Sequence, residues 1–382
     1  MQRKKILILT PFPYVDEPSM GGTVTWVTGV LEELVKYKKF DIHILTVSDS
    51  IKEYTIKKRY GVTVHYEPSP KYFPALIKGT TIDNYRLLRR IRKIKPDLVH
   101  PYITLPPYGS ASLFSGFPVV LSISGVVRNE AATYLGKKGM FRKLLNVPLE
   151  KFTLKRMKTI IVETPYVADS IKEMTKGNIY IIPTGIVGGF FNLKKKPQSN
   201  RLLILAGIEP RKGHHVLFKA VNTLKKDFPL LKLYVVGRVR NQAYYKQLVD
   251  YVNENDLSKN IIFTGLIPDE EVFKQMSKCT LLISSSFEES QSNVLGEAMA
   301  CGTPIVATNS GGCTYSIDDG ITGYIVPKGD HEALAEKIGK LLKDNKLRGE
   351  MSIESKKAAK QKFLSKNLVK KIVGVYDGIL GN

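Results

Sequence analysis

Two Rossmann-like α/β domains, each a doubly wound parallel sheet, are predicted by three features of the chain. Apolar runs of strand length alternate with amphipathic helical stretches along most of it. The alternation breaks at the polar, basic stretch 192–200, NLKKKPQSN, and resumes at Arg201. The length of 382 residues suits two domains of ordinary size, each with its own core. The expected division is a first domain over 1–191, a linker over 192–200, a second domain over 201–362 and a closing helix over 363–382.

In the first half, Lys5–Thr10 is an apolar strand broken by Pro11 and Pro13, and a loop through Met20, Gly21, Gly22 and Thr23 leads into a helix ending near Tyr37. Paired glycines before a helix allow a ligand close to the backbone. Strands follow at Asp41–Val47 and Val62–Tyr66. Asn84–Ile94 is a basic helix with Leu87, Leu88, Ile91 and Ile94 inward, stopped by Pro96. Asp97–His100 and Val119–Ile123 are further strands, the second followed by Ser124 and Gly125. His100 at a strand end reads either as a hydrogen-bonded structural histidine or as a ligand contact. The stretch Lys137–Lys158 mixes lysines and arginines with Met140, Phe141, Leu144, Leu145, Phe152 and Leu154. It reads as two helices with solvated lysines or as a basic amphipathic surface for an anionic membrane. Thr159–Glu163 is the next strand.

In the second half, Leu202–Ala206 is a strand that ends at Gly207, and GIEPRKGHHVLFKAV turns into a helix from His214. Arg211 and Lys212 stand in that turn, where two cations beside a helix start suit a diphosphate. Strands at Leu231–Gly237 and Ile261–Gly265 are closed by Gly237-Arg238 and by Leu266. The stretch LLISSSFEESQSNVLGEAMACGTPIVAT runs from a buried strand at Leu281–Ile283, through an acidic turn, into a helix over Asn293–Cys301. Ser292 or Asn293 is its N-cap, which aims the positive end of the helix dipole at the carboxyl end of the strand, a site for phosphate. Gly302, Thr303 and Pro304 stop the helix before the strand Ile305–Ala307. Glu289 lies in the turn and Glu297 one helical turn inside. A carboxylate repels phosphate unless it accepts hydrogen bonds from hydroxyls of the same ligand, and a sugar nucleotide carries such hydroxyls.

Composition narrows the partners. Hydrophobic residues make up 43% and charged residues 24%, and the three cysteines, Cys279, Cys301 and Cys313, have no metal-ligand spacing. A reduced, cytoplasmic compartment is expected. No 18-residue apolar run occurs, and MQRKKILILTPFPY reads as a basic tail and first strand rather than a signal peptide. The net charge of +23 is uneven: residues 1–190 carry 29 Lys plus Arg against 15 Asp plus Glu, the remainder 29 against 20. Such a field draws nucleotides, anionic lipid or nucleic acid alike. Nucleic acid is set aside because aromatic residues are not interleaved with the basic ones.

Glu289 and Glu297, eight positions apart with the second inside EAMA-C-G-T-P, resemble the E-x7-E signature of retaining GT-B glycosyltransferases of family 4. The resemblance covers nearly the whole chain and is strongest after Arg201. It implies two Rossmann-like domains with an interdomain cleft, a closing helix that crosses back onto the first, and a nucleotide-sugar donor with no metal and no cofactor. By that likeness Glu289, Arg211 and Lys212 are the catalytic candidates. Donor contacts fall to Gly22, Gly207, Arg211, Lys212, Gly237, Leu266, Glu289, Ser292, Asn293, Val294 and Glu297. Glu289 would hold sugar hydroxyls, Glu297 the ribose, and the strand ends at Gly237 and Leu266 the base. A front-face displacement, in which the leaving phosphate takes the acceptor's proton, demands no general base.

The chain also departs from the family. Ser124 stands where a histidine is common, which leaves Ser124, Arg128 and His100 as acceptor-side candidates. Ile208 rather than arginine follows Gly207, and Thr184 replaces asparagine in IIPTG. The expected acceptor is a glycan or a lipid-linked precursor, with an anionic membrane surface as a further partner. A nucleotide-sugar epimerase of the same fold and a non-catalytic polyanion-binding protein are the competing readings.

Overall fold

The computed structural model describes residues 3–14, 22–71, 78–133, 140 and 142–381. The chain forms two compact units, residues 1–185 with 365–382 and residues 186–364.

In the first unit, β1 (Lys4–Leu9), β2 (Phe40–Ser48), β3 (Thr55–Arg59), β4 (Val62–Pro68) and β5 (Leu98–Pro101) form one sheet in the order β3-β4-β2-β1-β5. All its pairings are parallel except β3 with β4. Ile6 to Leu9 are completely buried, as a central parallel strand covered on both faces requires. The smaller parallel sheet β6 (Leu121–Ile123), β7 (Thr159–Val162) and β8 (Asn178–Ile181) is linked to β5 through the Val99–Val119 bridge.

Two of these strands were not expected. β3 is TIKKR, whose basic residues sit on an edge strand. It reaches β4 through a hairpin in which Tyr60 and Gly61 both have positive φ, 50° and 74°. β8 (NIYI) is a short apolar run of strand-favouring residues, yet it is largely exposed. The basic helix Asn84–Ile94 is as expected. It buries Leu87 and Ile91 and ends with Lys95 in the left-handed region, just before Pro96.

The helix Ser365–Leu380 belongs to the first unit. Its buried Leu368, Val369, Ile372, Val373 and Tyr376 pack into the core containing Ile6, Ile8, Ile42 and Ile44, and Lys39 pairs with Asp377 at 2.7 Å.

The second unit is a six-stranded, wholly parallel sheet: β9 (Arg201–Leu205), β10 (Lys232–Val236), β11 (Ile261–Gly265), β12 (Leu281–Ser284), β13 (Ile305–Thr308) and β14 (Gly323–Val326). The order is β11-β10-β9-β12-β13-β14. The chain winds outward from β9 through β10 to β11, then returns to lay β12 on the other side of β9. The switch point therefore lies between the carboxyl ends of β9 and β12, where an open α/β sheet leaves its crevice. Asn241, Asp330 and Asp344 cap the helices that follow them through side-chain oxygens, and Gly302 at φ 70° closes the helix Asn293–Cys301.

The expected linker 192–200 is corrected. The chain passes between units at Gly185–Ile186 and Leu364–Ser365, and residues 192–200 are bound within the second unit. Lys195 Nζ donates to the carbonyls of Met276 (2.6 Å) and Cys279 (2.8 Å) and to Thr303 Oγ1 (2.7 Å). A run rich in lysine looks solvated in sequence, but this one carries a cation to the carbonyls ending the helix Asp269–Lys278. Lys195→Ala strands those acceptors and is expected to lower unfolding stability by about 2–3 kcal/mol in denaturant titration. A loss below about 1 kcal/mol would show that water replaces the ammonium at no cost.

Candidate functional site

The loops after β9 and β12 meet at the switch point through a close approach that only glycine permits. Gly213 has φ 65°, and a Cβ there would lie 2.0 Å from the Ser285 carbonyl oxygen. Ser285 Oγ donates to the Lys212 carbonyl at 3.0 Å, and Phe287 N to the Arg211 carbonyl at 2.8 Å. The loop after β13 joins them: Glu289 N donates to Ser310 O (3.0 Å), Gly312 N donates to Glu289 O (2.9 Å), and a Cβ on Gly312 would fall 1.5 Å from Ser290 O. Glu289 thus sits on a braced backbone.

That bracing brings together the residues singled out in the two separate stretches. Lys212 Nζ lies 2.5 Å from Glu289 Oε1, which also accepts from Ser286 Oγ at 2.7 Å. Burial would raise the Glu289 carboxyl, but Lys212 and Arg211, with the hydrogen bonds from Lys212 and Ser286, hold it below the usual carboxylate range. Its contribution to stability is present above that ordinary range and lost as pH falls through the lowered value. Arg211 is more committed than expected: Nη1 donates to the Glu288 carbonyl (3.1 Å) and Nη2 faces Glu209 Oε1 (3.3 Å). Glu209 and Glu288, both buried, went unnoticed because neither stands at a spacing that marks it out from a surface glutamate.

Glu297 is buried on the helix Asn293–Cys301 and accepts no hydrogen bond from any described residue. Burial, with Asp269 adding repulsion, pushes its carboxyl up to about 7. Ser292 is the N-cap, with φ 65° and ψ 93°, and its side chain makes no cap bond. A serine held in that region stores about 1–3 kcal/mol of strain. Asn293 and Val294 form the first turn of the helix and are partly buried. Gly207 follows β9, Gly237 (φ 154°) ends β10 with its N–H on Gly265 O (3.0 Å), and Leu266 is exposed after β11. Gly22 opens the helix Gly22–Leu34, and the rest of its expected loop, with Met20 and Gly21, lies outside the described residues.

The acceptor-side candidates, in the first unit, are not brought together in this way. His100 is corrected to a structural residue. It is completely buried, Nδ1 bonds Tyr376 Oη (2.6 Å) and Nε2 bonds Ser122 Oγ (2.7 Å), and burial lowers its pKa to about 3. Tyr376 is far away in sequence, so no local pattern announces the pair. Arg128 is exposed, but its Nη2 donates to the Ser170 carbonyl at 2.9 Å. Ser124 is partly buried in the turn after β6. At the start of the helix Val127–Ala132 lies a carboxyl that sequence reading missed. Fully buried Glu150 accepts from Val127 N (3.0 Å), Arg128 N (3.4 Å) and Thr104 Oγ1 (3.3 Å), and burial raises it to about 7.

Residues 190–358 match the family described as Glycosyl transferases group 1, and residues 20–187 match Glycosyltransferase Family 4. The chain is 26% identical over 380 residues to the uncharacterized glycosyltransferase MJ1178 of Methanocaldococcus jannaschii, covering 97% of this chain and 99% of that protein. Its fold matches sucrose-phosphate synthase of Thermosynechococcus elongatus with a TM-score of 0.84 at 19% identity, over 99% of this chain and 100% of the other. It also matches Anabaena HepE, crystallised with UDP-glucose, with a TM-score of 0.76 at 17% identity, over 98% and 99%.

Proposed function

Because the chain belongs to the family 4 glycosyltransferases of GT-B fold, we propose that it transfers a sugar, with retention of configuration, from a nucleoside-diphosphate donor to an acceptor hydroxyl. The observation that carries this reading is the Lys212–Glu289 pair at the switch point of the second unit. An ammonium has three protons, and Glu289 takes one, which leaves others for a diphosphate. Lys212, assisted by Arg211, stabilises charge that builds on the leaving phosphate. Glu289, held ionised by the same lysine, accepts from the sugar hydroxyls. Glu297, with no hydrogen-bond partner among the described residues, accepts from the ribose. The acceptor's proton passes to the departing phosphate oxygen, so the protein supplies no base. HepE, of like fold, was crystallised with UDP-glucose, which supports a nucleotide-sugar donor.

The test is incubation with a panel of nucleotide sugars, with and without EDTA. One donor should be hydrolysed slowly and equally in both, and the transferred product should keep the donor's anomeric configuration by NMR. An inverted product, or an isomerised sugar formed without acceptor, would replace this mechanism with another.

A lipid-linked acceptor at a membrane is part of the proposal. Among the described residues no helix is long and apolar enough to cross a membrane. Yet Phe114, Met140, Leu144, Leu145 and Phe152 are exposed, Phe114 and Phe152 with ring centroids 6.4 Å apart, and Lys143, Lys151, Lys155 and Arg156 are exposed beside them in sequence. Residues 134–139 and 141, including Lys137, Lys138 and Phe141, lie outside the described residues. Each Lys or Arg near an anionic surface contributes roughly 1 kcal/mol. Sedimentation with liposomes should therefore require anionic lipid, weaken with salt and drop when Lys143, Lys151 and Lys155 become Glu. Wild-type protein left in the supernatant at low salt would remove the membrane from the proposal.

A further inference from the structure

We propose that Arg240 is a second-loop anion-binding residue that reaches across Gly207 toward the donor phosphates, an inference that rests on the donor reading above. Gly207 follows β9 with no side chain, and the three atoms nearest a Cβ built there all belong to the arm of Arg240: Nε at 2.7 Å, Cδ at 2.9 Å and Cγ at 3.3 Å. The space a side chain would take at this strand end is filled by an arginine from the loop after β10. Its backbone is tied in place. Arg240 N and Asn241 N both donate to the Ile208 carbonyl at 3.1 Å, Ile208 N donates to Arg238 O at 2.9 Å, and Asn241 caps the helix Gln242–Glu254.

The position after Gly207 offers no polar group of its own, since Ile208 is turned into the core. Lys212 is paired with Glu289, and Arg211 with Glu209 and the Glu288 carbonyl. The exposed guanidinium of Arg240 forms no hydrogen bond or ion pair with any described residue, so its donors are unspent beside the switch point. A planar fork at the carboxyl ends of parallel strands suits the oxygens of a phosphate, with Lys212 supplying a second cation on the loop after β9.

Binding of inorganic pyrophosphate, UDP and uridine to the full chain, measured by calorimetry at low salt, tests this. Arg240→Ala should weaken pyrophosphate and UDP by about tenfold, the scale of one charge-assisted hydrogen bond, and leave uridine unchanged. Gly207→Leu should reproduce that loss, because its side chain displaces the arm, and Arg240→Lys should recover part of it. Lys212→Ala is the reference. If it loses affinity while Arg240→Ala stays within twofold of wild type, Arg240 is an ordinary solvated arginine and the donor reading stands. If neither change matters, or the wild type does not bind pyrophosphate, the diphosphate lies elsewhere and both readings fall.

Discussion

Lys212→Ala is expected to lower kcat/KM by roughly 30- to 1,000-fold, the 2–4 kcal/mol that one preorganised electrostatic partner of a transition state supplies. Two effects combine. The diphosphate loses a cation, and Glu289 loses the ammonium 2.5 Å away that holds it ionised in a buried place. Because the second effect acts through Glu289, the double variant with Glu289→Ala should cost much less than the two single changes added together. Arg211→Ala should also lose activity, but it removes the guanidinium that faces buried Glu209, so a fall in stability should accompany it. Steady-state kinetics on the donor found in the panel decides the matter. Activity within threefold of wild type for Lys212→Ala would mean that this pair is a fold contact and nothing more.

The second large effect separates the two glutamates. Glu289→Ala should act mainly on kcat, since contacts to the reacting sugar can strengthen in the transition state. Glu297→Ala should act mainly on nucleotide affinity, since ribose contacts are alike in both states. The protonation of Glu297 adds a signature. With its carboxyl raised to about 7, wild-type nucleotide affinity should fall as pH drops through neutrality, and Glu297→Gln should flatten that dependence. The stability change has the opposite sense. A carboxyl with a raised folded-state pKa contributes stability fully below its ordinary value near 4.5, and that contribution is lost as pH rises through 7. Glu297→Gln should thus match the wild type in acid and exceed it at pH 8 by on the order of 2–3 kcal/mol in denaturant unfolding. Matched kinetic losses for the two alanine variants, with no pH-dependent stability gain for Glu297→Gln, would remove the distinct roles assigned to them.

The sequence by itself determined most strands of the second unit and its helix Asn293–Cys301, and for local reasons. Apolar runs with strong turn chemistry set Ile261–Gly265 and Asn293–Cys301 to the residue. The spacing of Glu289 and Glu297 was legible because one strand-turn-helix carries both, as was the neighbourhood of Arg211, Lys212 and a helix start. Only the tertiary structure decided which of these groups act on one another. Lys212 reaches Glu289 because parallel strand order places β9 beside β12, and strand order is not written in any local stretch. Long-range partners also settled what local sequence left open, misread or passed over: Tyr376 and Ser122 make His100 structural, the carbonyls of Met276 and Cys279 fold residues 192–200 into the second unit, and the backbone of Val127 and Arg128 brings Glu150 into play. A side chain's type states what it can donate or accept, but burial and the partner at hydrogen-bond distance decide its charge and its use. Both depend on residues brought close only by the completed fold.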